Sequence, residues 1–78
     1  MIWLFERAEE TLEVETHYEA ATGEYLLTVK RPDGSQQTER FLHVATFRDR
    51  LARLETMLDR EKWVPNGAPS PLHDGWKL

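Results

Sequence analysis

Eight residues restrict this chain more than any others. Residues 12–19 read Leu-Glu-Val-Glu-Thr-His-Tyr-Glu. Leu12, Val14, Thr16 and Tyr18 fall on one parity, and Glu13, Glu15, His17 and Glu19 on the other. A period of two places successive side chains on opposite faces of a strand, so this segment predicts a strand with one buried and one wet face. A sheet of that kind needs something apolar on its dry side.

The candidate cover comes later in the chain. Over 44–62 the period changes, and Val44, Phe47, Leu51, Leu54 and Leu58 recur at three and four residues, the stripe of an amphipathic helix. Thr46 followed by Asp49 resembles a capping box, with His43 as the alternative start. Pro65, Asn66 and Gly67 supply the stop.

Three further strands complete the pattern. Ile2-Trp3-Leu4-Phe5-Glu6-Arg7 is short and apolar, with a turn over Ala8–Thr11. Residues 20–24 turn around Gly23, and residues 25–31, Tyr-Leu-Leu-Thr-Val-Lys-Arg, are rich in strand formers. Arg31-Pro32-Asp33-Gly34 is the strongest local turn signal in the chain, because proline presets φ and Asp-Gly suits tight turns. Residues 36–42 form a fourth, more polar strand. Short connections imply antiparallel pairing. The expectation is therefore an α+β domain, an antiparallel β-meander of three to four strands with one C-terminal amphipathic helix packed on one face, in the order β-β-β-β-α. The domain spans 1–64, and a Pro/Gly-rich irregular tail spans 65–78. The tail either folds back over the first strand through Leu72 and Trp76 or serves as a recognition segment.

Composition removes several function classes. The chain has 78 residues and no cysteine, so disulfides, thiol catalysis and thiolate metal sites drop out together. Its longest N-terminal apolar run is too short for an export signal or a membrane span, which leaves the cytoplasm as the expected compartment. A core this small yields only a few kcal/mol, which favours self-association. Net charge is −4, unevenly spread. Residues 1–24 hold seven glutamates against Arg7 alone, a local balance of −6 that leaves the remainder at +2.

Catalytic signals are weak. His17, His43 and His73 are scattered, no glycine-rich phosphate loop is present, and neither Ser35 nor Ser70 has the setting of a nucleophile. Neither an enzyme nor a cofactor is expected.

Two surfaces remain. The sheet face away from the helix should carry Glu13, Glu15, His17, Glu19, Leu26, Thr28 and Lys30, as a solvated face with cross-strand charge pairs or as a contact surface for a basic protein. The first strand has large apolar groups on both parities, so Trp3 and Phe5, with Trp76 from the tail, join Glu13, Glu15, His17 and Leu26 as candidate interface residues. Along one helix flank, Arg50, Arg53 and Arg60 surround Met57, with Asp49 placed to pair with Arg53.

The first functional expectation is a small homodimer, joined through the open face or the first strand, that binds another protein. The second is a single-strand nucleic-acid binder using Lys30, Arg31 and Arg40, with the flank arginines as further anion contacts and Trp3 or Tyr25 as stacking platforms. In topology alone, a meander with one C-terminal helix is similar to the whirly or coactivator type of single-stranded-DNA-binding fold, whose dimers use a curved sheet; the acidic second strand departs from it. A third expectation is a hydrolytic or metal site on Glu13, Glu15 and His17.

Overall fold

The computed structural model describes residues 1–66. Its elements are β1 (Ile2–Arg7), β2 (Glu10–Glu19), β3 (Glu24–Lys30), β4 (Gln36–Phe41), α1 (Val44–Arg60) and β5 (Val64–Pro65). The sheet order is β4-β3-β2-β1-β5, and every pairing is antiparallel. The α+β meander followed by a single helix is thus the architecture of the described residues.

Turn chemistry sets the register. Pro32 occupies the second position of the β3–β4 turn, the Gly34 N–H donates to the Arg31 carbonyl at 3.0 Å, and Gly34 takes φ 90. The Ser35 N–H donates to Asp33 Oδ1 at 2.8 Å in an Asx turn, and hydrogen bonding from the Ser35 side chain, then from its backbone N–H, holds the Asp33 carboxyl below the usual aspartate value. The β1–β2 loop is tighter than expected. Arg7 pairs with Glu10, so Ala8 and Glu9 alone make the turn, and Ala8 adopts φ 54.

The alternation of β2 becomes burial. Leu12, Val14 and Thr16 lie under the helix with Trp3, Phe5, Leu27 and Val29 from the neighbouring strands. Phe47, Leu51, Leu54 and Leu58 close this core from above. Burying each of these four stabilises the fold by roughly 1.5 to 3 kcal/mol before entropy. Tyr25 and Phe41 pack around Phe47, with ring centroids 5.0 and 5.7 Å from it. Val44, the expected first member of the stripe, is exposed.

The helix begins at the alternative of its two expected starts, and its C-terminal end differs from the sequence expectation. His43 is the N-cap, without a side-chain cap bond, so Thr46 lies inside the first turn and the Thr46–Asp49 capping box does not form. At the other end the chain turns before Pro65. The Trp63 N–H donates to the Leu58 carbonyl at 2.9 Å and the Lys62 N–H to the Asp59 carbonyl at 3.1 Å, with Lys62 at φ 67. These bonds make a Schellman motif, and its usual apolar contact is supplied by Leu58 and Trp63, both in the core.

That reversal sends Val64 and Pro65 back along β1, opposite Glu6 and Phe5. Pro65 and Asn66, assigned by sequence to an irregular tail, therefore belong to the sheet edge. Proline is tolerated there because bonds to β1 are made by its neighbours: the Asn66 N–H donates to the Leu4 carbonyl at 2.8 Å.

Candidate functional site: the open face of the sheet

The open face can be built row by row from the registers. Leu4, Glu13, Lys30 and Gln36 lie side by side across β1 to β4, followed by Ile2, Glu15, Thr28 and Thr38, then His17, Leu26 and Arg40, then Glu19 and Glu24. Val64 joins Glu6 at the β5 side. Glu13, Glu15, His17 and Leu26 are therefore brought together on one surface, as the alternation of β2 requires.

Most of the charge on this surface is paired. Lys30 Nζ lies 3.2 Å from Glu13, and Arg40 Nη1 lies 3.4 Å from Glu19 and 3.3 Å from Glu24. The Thr28 and Thr38 hydroxyls meet at 3.0 Å. Such exposed pairs contribute roughly 0 to 1 kcal/mol each and mainly set local order. Glu15 differs: Ile2 and Thr28 flank it, and no salt bridge to it is found among the described residues.

Trp3 and Phe5 are not part of this surface. They are 3% and 6% exposed and sit beneath the helix. The physical reason is register: Trp3 opposes Val14 and Phe5 opposes Leu12, both buried residues of β2. Ile2 and Leu4 take the open positions, at 59% and 38% exposure, and Val64 beside them is 62% exposed. Together the three make an apolar strip along β1 and β5 that ends against Glu13 and Glu15. Sequence missed Ile2 and Leu4 because an unbroken apolar run has no alternation to read, and Val64 because only the reversal after α1 lays it beside β1. Trp76 lies outside the described residues.

The basic candidates are scattered. Lys30 and Arg40 hold carboxylates on the open face, and Arg31 is exposed in the hairpin turn. Arg50 lies on the helix side, its Nε donating to both Glu39 carboxylate oxygens at 3.1 and 3.2 Å. Arg53 contacts Asp49 at 2.8 Å, the expected i, i+4 pair. Arg53 and Arg60 border a shallow groove of about 280 Å³ with Thr56 and Met57. The stacking platforms fail as well. Trp3 is in the core, and Tyr25 packs on Phe47 beneath the sheet, away from Lys30 and Arg40.

Nor does the acidic strand make a metal centre. Among the described residues no group of three His, Asp or Glu side chains is placed to hold a metal ion. Glu13 is engaged by Lys30, and His17 stands beside Leu26. Among the described residues, no helix is long and apolar enough to cross a membrane. No family model, no curated protein and no solved structure matches the chain.

Proposed function

We propose that the chain is a small non-enzymatic protein-interaction module that works as a homo-oligomer and binds a second protein through the open face of its sheet. One observation carries this reading: the apolar strip of Ile2, Leu4 and Val64 abuts Glu13 and Glu15 on a face that the helix leaves uncovered. Apolar contact supplies affinity, and the carboxylates select a partner carrying Lys or Arg beside an apolar patch. Glu15 has the larger part in this selection, since Glu13 already holds Lys30.

The test compares capture by the wild-type chain, Leu4→Asp and Glu15→Lys from an extract of the native host, with bound proteins quantified by mass spectrometry. The expected result is one basic partner retained by the wild type and depleted at least ~10-fold by both variants, the loss of about 1.4 kcal/mol or more. Equal capture by all three chains would remove the open face from the function.

A further inference from the structure

We infer that β4 is the self-association edge of this protein, pairing antiparallel with β4 of a second copy about a two-fold axis at Thr38 to give one continuous sheet. The inference rests on the self-association part of the reading above and is independent of the partner met by the open face.

The two edges of the sheet are built differently. β5 is two residues long and contains Pro65, so that edge is short and lacks a donor where proline stands. Short strands and proline are how natural sheets close an edge. β4 has six residues, no proline and an unbroken register against β3 from Gln36 to Phe41. Its two charged residues do not guard it either, because Glu39 is held by Arg50 and Arg40 by Glu19 and Glu24.

The direction of the free backbone groups follows from the hairpin. The Arg31 N–H donates to the Ser35 carbonyl at 2.9 Å, making Arg31 and Ser35 a hydrogen-bonded pair. Antiparallel ladders alternate, so Gln37, Glu39 and Phe41 bond to β3 while the N–H and C=O of Gln36, Thr38 and Arg40 point outward. A ladder partner is needed for those groups, or water.

A second copy engages all three outward residues in one register, since an axis at Gln37 pairs only Gln36 with Thr38 and leaves Arg40 opposite Gly34, outside the strand. With Thr38 opposite its symmetry mate, Gln36 meets Arg40 of the other copy and Gln37 meets Glu39. Each outward N–H then faces an outward C=O, and no like charges oppose. The Thr28–Thr38 hydroxyl contact continues across the axis as a row of threonines. Moving the axis to Arg40 sets two guanidinium groups against each other. Moving it to Gln36 places Arg40 opposite Pro32, beyond the end of the strand.

Sedimentation of the full chain between about 10 and 500 µM tests the inference, in the range where a small interface associates. The wild type should shift with concentration toward twice the 9.2 kDa chain mass. Thr38→Pro removes an outward N–H and the exposed hydroxyl contact to Thr28 but no backbone bond to β3, so it should keep the circular dichroism spectrum while weakening dimerisation at least ~10-fold. Should that variant fail to fold, Thr38→Lys decides instead: it sets two ammonium groups across the axis and should weaken the dimer most at low salt. A dimer untouched by either change but lost in Leu4→Asp overturns the edge and leaves self-association standing. A wild type that stays monomeric throughout overturns both.

Discussion

The Arg7 guanidinium lies over the Trp63 ring, 4.4 Å from its centroid, while its Nη1 donates to the Glu61 carbonyl at 3.1 Å. One side chain at the end of β1 thus clamps the reversal that follows α1. Trp63 is buried in the core, and its Nε1 has no hydrogen-bond partner among the described residues. Its contribution is apolar area and the ring face offered to Arg7.

This predicts an ordering of variants in urea denaturation. Trp63→Ala should cost about 3 to 5 kcal/mol, a large fraction of the stability of so small a domain. Trp63→Phe should cost much less than Trp63→Ala, since it keeps a ring and discards an unpartnered polar group. Arg7→Ala should cost roughly 0.5 to 1 kcal/mol, the scale of an exposed cation–π contact. A Trp63→Phe chain as unstable as Trp63→Ala would mean that the indole nitrogen matters and the area argument is wrong.

Two adjacent residues provide a test of the β1 parity. Phe5→Ala should destabilise the fold by about 3 to 5 kcal/mol, because Phe5 is packed beneath the helix. Leu4→Ala, one residue earlier and on the open face, should cost under ~1 kcal/mol. Equal losses measured by chemical denaturation would show that both faces of β1 are buried in solution, as a dimer through the open face would require.

Lys62 sits at φ 67 in the Schellman position where glycine is the usual occupant. Its side chain is exposed, so little packing is lost on truncation. Lys62→Gly should therefore stabilise the chain by roughly 0.5 to 1 kcal/mol, the relief of left-handed strain outweighing the added freedom of the unfolded chain. Thermal unfolding of the two chains measures this directly. A lower midpoint for Lys62→Gly would show that the Lys62 stem contributes contacts that offset its backbone strain.

Much of this fold is local in origin. The alternation from Leu12 to Tyr18, the period change at Phe47 and the Pro32-Asp33-Gly34 turn each express a preference within a few residues, so element type, order and the open face of β2 are legible without coordinates. The pairing of Glu13 with Lys30 follows once the β2–β3 register is set by the turn around Gly23. Other features depend on residues distant in sequence. The run Ile2-Trp3-Leu4-Phe5 carries no parity of its own, and only its register against Val14 and Leu12 sends the two aromatics inward and Ile2 and Leu4 outward. The final strand is likewise invisible locally, because Val64-Pro65 has weak strand character and gains its place from the helix reversal that lays it beside β1. Local sequence determined the four longer strands and the helix, since backbone preference and apolar period are near-neighbour effects. Tertiary structure alone decided which face of β1 is exposed and which strands lie at the edges of the sheet among the described residues, since both depend on pairing across long stretches of chain.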